Sequence, residues 1–82
     1  MEYTVYILYS STLDKYYIGY TSESIDERIR KHLSSHSGFT SHAKDWILMY
    51  QEKLTDETSA LKRENEIKSW KKRSRIEALI KQ

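Results

Sequence analysis

Short apolar runs alternate with stretches of helical periodicity along this chain, and their order sets the fold the sequence predicts. Residues 3–9, YTVYILY, are almost all β-branched or aromatic and too short for a helix, which predicts a strand buried on both faces. Ser10 to Lys15 supply polar turn residues. Residues 16–20, YYIGY, make a second strand, and the short link favours a hairpin. Ser24-Ile25-Asp26-Glu27 fits a capping box, in which the serine side chain accepts from the Glu27 amide and the glutamate reaches back. On the helix it opens, Ile25, Ile29 and Leu33 form one apolar stripe, with Arg28 and His32, four residues apart, along its edge. Glu27 and Lys31 fall opposite and face water. Ser34 to Lys44, with Gly38 and many Ser/Thr, reads as a loop that holds two of the three histidines.

Trp46 to Tyr50, WILMY, is a third apolar run, short enough for a central strand. Thr55 and Asp56 offer an N-cap for a second helix from about Glu57 to about Trp70. Ala60, Leu61 and Ile67 make its apolar face, and Glu64 projects from the middle of that face. Lys71 to Arg75 is a basic joint. Ser74-Arg75-Ile76-Glu77 is a second capping-box pattern and predicts a short last helix to about Lys81. The element order is therefore ββαβαα.

At 82 residues the chain is predicted to be one domain, with no cysteine to add a disulfide or a zinc knuckle. The N-terminus has no basic stretch followed by an apolar segment, and no apolar run approaches the ~20 residues that span a bilayer. The expected setting is cytoplasmic, with no membrane contact. Charge is unevenly placed: residues 1–60 carry six Lys/Arg against nine Asp/Glu, whereas residues 61–82 carry eight against three. A cationic segment thus follows a mildly acidic body. It suits either a polyanionic partner or a solvated helix face.

Several residues invite a chemical reading beside an ordinary one. Gly19 stands inside a strand, where glycine marks a bulge or a close approach of another group. Tyr6 and Tyr17 fall on adjacent strands if the hairpin forms, as a phenol pair at a site or as two packed core rings. Arg28 has the planar fork that suits a phosphate oxygen, and His32 on the same side is either catalytic or a satisfied structural histidine. Glu64 weighs most, because a carboxylate on an apolar face needs a cation. The candidates are a divalent metal, which takes one or two carboxylates plus water and phosphate, or an ion pair with Arg28 or Arg63.

The ordered set of Val5-Tyr6-Ile7, Tyr17-Ile18-Gly19, Arg28 and His32 in IDERIRKH, and Glu64 in LKREN resembles the GIY-YIG nuclease superfamily. It looks most like the small stand-alone bacterial members, over about residues 3 to 80. The resemblance implies an α/β (α+β) sandwich with a central three-stranded antiparallel sheet flanked by helices. It implies a metal-dependent endonuclease acting on DNA, with Mg²⁺ or Mn²⁺ on Glu64. Tyr6 or Tyr17 would be the base or orienter of the attacking water, its pKa lowered by neighbouring cations. Arg28 would offset phosphoryl charge, and His32 would assist. The segment Lys68, Trp70, Lys71, Lys72, Arg73 and Arg75 would hold the DNA backbone, with Trp70 stacking on an unpaired base and structure preferred over sequence. In two respects the chain departs from the family pattern. Thr4 and Val5 stand before Tyr6 where the first motif normally begins with glycine, and the distal Asn of many members has no convincing equivalent. They motivate the alternative of a nucleic-acid-binding module with little or no cleavage. A third possibility is a small interaction subunit in which Trp46, Trp70 and the last helix dock onto a protein.

Overall fold

The first apolar run lies at the centre of the sheet, and that position explains its composition. In a computed structural model that describes residues 2–34 and 43–82, the elements are β1 (Tyr3–Ser10), β2 (Lys15–Thr21), α1 (Ile25–Ser34), β3 (Ile47–Leu54), α2 (Glu57–Ser69) and α3 (Arg73–Ile80). The strands form one antiparallel sheet in the order β2-β1-β3. With a neighbour on each side and helices over both faces, β1 loses all contact with solvent from Val5 to Leu8. Its alternation then divides the core. Val5 and Ile7 pack with Ile18, with Ala60 and Ile67 of α2, and with Ile76 and Leu79 of α3. Tyr6 and Leu8 point the other way, toward Ala43, Trp46 and the α1 stripe of Ile25, Ile29 and Leu33. Each fully buried branched side chain contributes about 1.5–3 kcal/mol, so this strand carries much of the fold.

β3 differs from its expectation in place and extent. It is an edge strand rather than a central one, and it runs on through Gln51-Glu52-Lys53-Leu54. An edge strand keeps half its side chains wet, so the polar residues that hid its second half are compatible with it. The register slips by one residue, Ile7 pairing with Tyr50 but Leu8 with Leu48, which leaves Met49 as the extra residue of a bulge. The slip lets one strand serve both cores. Leu48 packs on the α1 side, and Tyr50 and Leu54 on the other.

The helix starts follow their caps with one exception. Ser24 Oγ accepts from the Glu27 amide at 3.2 Å, while the Glu27 carboxylate turns to Arg30. Asp56 caps α2 by accepting from the Ser59 amide at 2.7 Å. The box expected at Ser74 does not form. α3 begins at Arg73 with Lys72 as its N-cap and no side-chain cap bond. Glu77 is held instead by Arg73 Nε at 3.0 Å and by the Tyr16 hydroxyl at 3.2 Å, so it does not reach back. Most of the predicted loop, residues 35–42 with two histidines, lies outside the described residues.

The hairpin turn is tied to the segment ahead of β3 by one carboxylate. Asp45 accepts from Ser10 Oγ at 2.5 Å, Ser11 Oγ at 2.9 Å, and the Thr12 amide and hydroxyl at 2.8 and 2.9 Å. These donors, Ser10 foremost, hold its carboxyl well below the usual carboxylate range. The ionised form is thus bound more strongly in the folded chain. Its contribution is complete above the unfolded value of ~3.9 and is lost as pH falls toward the folded one. Asp45→Asn should lower the melting temperature at pH 7 and flatten the loss of stability between about pH 4 and pH 2. Equal melting curves for variant and wild type across that range would contradict the assignment.

Candidate active site

Tyr6 faces Gly19 across the β1–β2 ladder, and its ring lies on the glycine. A Cβ at Gly19 would stand 2.7 Å from Tyr6 Oη, 2.9 Å from Tyr6 Cζ and 3.2 Å from Tyr17 Cε1. Glycine is therefore required here by close approach. The β1–β2 register is unbroken at this point, so the bulge explanation does not apply. The absent side chain is the slot that receives the phenol.

α1 completes the arrangement because its i, i+4 spacing brings Arg28 and His32 to the same hydroxyl. Arg28 Nε–H donates to Tyr6 Oη at 3.2 Å, and Tyr6 Oη lies 2.8 Å from His32 Nε2. Arginine can only donate, so the phenol accepts from it, while the direction of the Tyr6–His32 hydrogen bond follows the imidazole tautomer. Tyr17, the neighbour of Gly19 on the same strand face, sets its ring edge-on to His32 at 4.9 Å between centroids and 6.4 Å from the ring of Tyr6. Tyr6 is wholly buried whereas Tyr17 is half-buried. The two phenols are thus unequal, one inside the wall and one at its surface.

Burial governs the titration of this cluster. It raises the Tyr6 phenol above its usual value; Arg28 pulls the other way and is outweighed. Arg28 lowers this tyrosine as expected of a neighbouring cation, but burial is the larger effect. His32 is pushed below its usual value, first by burial and then by the charge of Arg28, which favours its neutral form at pH 7. Arg28 keeps a side-chain exposure of 35% and pairs loosely with Glu23 at 3.9 Å. Glu23 also takes Lys31 at 2.5 Å. No spacing rule pointed to Glu23, which follows β2 without belonging to any helical pattern.

Glu64 lies on the Ala60–Ile67 stripe of α2, as the pattern predicted, with its side chain 12% exposed. Leu61 is not part of that stripe and is largely exposed, because it falls about 100° from Ala60. The negative charge of Glu64 is felt at both Tyr6 and Tyr20. It pairs with Lys68, one turn on, at 3.7 Å, rather than with Arg28 or Arg63. Arg63 is engaged by Glu52 and Glu66. Among the described residues no group of three or more His, Cys, Asp or Glu could hold a metal by itself. A lone, mostly buried carboxylate with a loose partner suits a Mg²⁺-type ion that draws its remaining ligands from water and phosphate.

The basic segment is partly committed within the chain. Arg73 donates to Asp14 at 2.7 Å and to Glu77 at 3.0 Å, and lies 5.2 Å from the centre of the Tyr16 ring. It anchors α3 to the hairpin. Trp70 is half-buried, with the guanidiniums of Arg75 at 4.8 Å and Arg63 at 5.7 Å over its ring. Lys68, Lys71, Lys72 and Arg75 are exposed. Trp46 is 2% exposed beside Tyr17, so it cannot dock a protein partner. No helix among the described residues is long and apolar enough to cross a membrane.

Gly19→Ala should cost about 1–3 kcal/mol in urea unfolding, since the wholly buried Tyr6 ring would have to shift. An unchanged unfolding midpoint would contradict the close approach. By NMR, His32 should titrate below its ordinary ~6.5, and Arg28→Gln should raise that value part of the way, burial remaining. Because the unfolded chain binds more protons below pH ~6.5, this histidine's contribution to stability is complete near neutrality and lost in acid. A His32 pKa at or above 6.5 would overturn this description of the cluster.

Comparison with known proteins gives the family and the fold. The GIY-YIG catalytic domain matches residues 2–77. The fold is similar to the solution NMR structure of the UPF0213 protein BH0048 from Bacillus halodurans, at 29% identity and a TM-score of 0.62, over 99% of this chain and 84% of that one. No curated protein sequence matches. With Tyr6, Gly19, Arg28 and His32 converging on one hydroxyl inside the matched segment, the chain belongs to the GIY-YIG catalytic domain family of nucleases.

Proposed function

We propose that the protein is a cytoplasmic, divalent-metal-dependent endonuclease that hydrolyses DNA phosphodiester bonds and selects structure over sequence. The observation that carries this reading is the Arg28–Tyr6–His32 hydrogen-bond chain set on Gly19. A hydroxyl with that environment is fixed and dry, so it positions other groups better than it receives protons from bulk water. Tyr6 holds the Arg28 guanidinium from beneath, and the exposed part of Arg28 meets the phosphoryl oxygens as their charge grows. Tyr17, which reaches solvent, orients the attacking water, whose proton leaves to solvent, while buried neutral His32 holds the Tyr6 hydroxyl in place. Mg²⁺ or Mn²⁺, when bound at Glu64, supplies Lewis-acid charge to the phosphoryl group and the leaving oxygen.

Lys68, Lys71, Lys72 and Arg75 hold the strand through its phosphates, and Trp70 serves the same surface, while Arg73 contributes mainly by fixing α3. Phosphate contacts carry little sequence information, which supports selection by structure. The burial and raised pKa of Tyr6 favour a second reading, a nucleic-acid-binding module without cleavage. Glu64→Ala should abolish Mg²⁺-dependent nicking of supercoiled DNA while leaving the fold and salt-sensitive DNA binding intact. Equal nicking by variant and wild type would overturn the metal assignment, and salt-sensitive binding with no product at any divalent ion concentration would favour the second reading.

A further inference from the structure

A guanidinium has two edges on which it can take a pair of oxygens, and in Arg28 one of them is already used. Its Nε–H donates to Tyr6 Oη at 3.2 Å, which commits the side edge formed by Nε and Nη2. The end edge, Nη1 with Nη2, is the one left for a phosphate. The carboxylate of Glu23 stands against it, with Oε2 3.9 Å from Arg28 Nη1. Its other oxygen, Oε1, receives Lys31 Nζ at 2.5 Å. One carboxylate thus bridges two cations one turn apart on α1, with one oxygen for each.

The two halves of this bridge are unequal. At 3.9 Å the contact with Arg28 is longer than a hydrogen bond, so it supplies charge without directing the fork. Lys31 is the tighter partner. The three side chains keep roughly a third to a half of their exposure, and ion pairs so open to water contribute little and exchange readily. A phosphate offers charge-assisted hydrogen bonds to both cations, from oxygens spaced much like those of a carboxylate. Glu23 also differs from Glu27, whose pair with Arg30 lies within α1. It comes from the segment between β2 and α1, where its amide donates to Thr21 Oγ at 3.0 Å. With the backbone held there, only the side chain has to turn for the carboxylate to leave.

We propose that Arg28 and Lys31 form a phosphate subsite that the Glu23 carboxylate fills in the free protein, and that a backbone phosphate of the substrate takes its place. The inference rests on the nuclease reading and adds Lys31 to the residues that touch the strand. Glu23 is then an internal competitor. Its displacement costs the same for every phosphate, so it sets affinity and not sequence preference.

The test uses the full chain in metal-free buffer, where cleavage cannot interfere, with inorganic phosphate and a short blunt DNA duplex as probes. The Arg28 Nε–H resonance, identified by its loss in Arg28→Gln, reports occupancy of the subsite. Glu23→Gln removes the charge and keeps the size of the side chain. It should tighten binding of both probes roughly threefold to tenfold, the scale of one or two exposed ion pairs. Lys31→Gln in that background should reverse most of the gain and lower the salt slope for the duplex by about 0.9, the value for one phosphate contact on B-DNA. Unchanged or weaker binding by Glu23→Gln would overturn the competitor role, and an unmoved salt slope would remove Lys31 from the subsite. Either failure leaves the nuclease reading intact where the wild type nicks DNA with Mg²⁺. Tightened binding without nicking by any variant would keep the subsite and sink that reading.

Discussion

The site is organised around one phenol oxygen that fits only because the opposite strand carries no side chain. Tyr6 Oη occupies the space a Cβ of Gly19 would claim, and from there it meets Arg28 and His32. Three elements are thereby locked to one point, since β1 supplies the hydroxyl, β2 the slot and α1 the two partners. The requirement is steric before it is chemical. A side chain at position 19 would displace the ring, and with it both hydrogen bonds.

The same burial sets the electrostatics. Removing Tyr6 and His32 from water disfavours their charged forms, which keeps the phenol protonated and the imidazole neutral even beside a guanidinium. A permanent cation at Arg28 is the exception, because its fork reaches past the wall. The cluster therefore separates its roles by depth. The buried groups hold position, and Arg28 and Tyr17 are the members partly open to solvent. Glu64 adds negative charge on the α2 side, with its loose contact to Lys68 leaving its oxygens within reach of a better cation.

Much of this was legible in the sequence, for reasons that differ by element. β1 was readable because a strand buried on both faces must be apolar at consecutive positions. α1 was readable because its stripe, its Ser24 cap and its Arg28/His32 edge all agree on one period. The second half of β3 was not, since an edge strand tolerates Gln51 and Lys53, and the bulge at Met49 breaks the alternation that would have betrayed it. The start of α3 was misplaced because Glu77 answers Arg73 and Tyr16, partners brought by tertiary contact and invisible in local spacing. At the site, spacing put Arg28 and His32 on one helix edge and Glu64 on an apolar stripe, but it gave neither Glu23 nor the hierarchy between the two tyrosines. That depends on which ring sits over Gly19, a matter of register and depth.

The most direct test of Tyr6 as the positioning residue is a double-mutant cycle of Tyr6→Phe and Arg28→Gln on the rate of Mg²⁺-dependent nicking, with the fold of each variant verified. Groups in direct contact couple strongly, whereas independent ones add in free energy. If Tyr6 acts by holding Arg28, Tyr6→Phe slows nicking substantially and the double variant is scarcely slower than Arg28→Gln alone. Losses that multiply, or a Tyr6→Phe enzyme as fast as wild type, would contradict it.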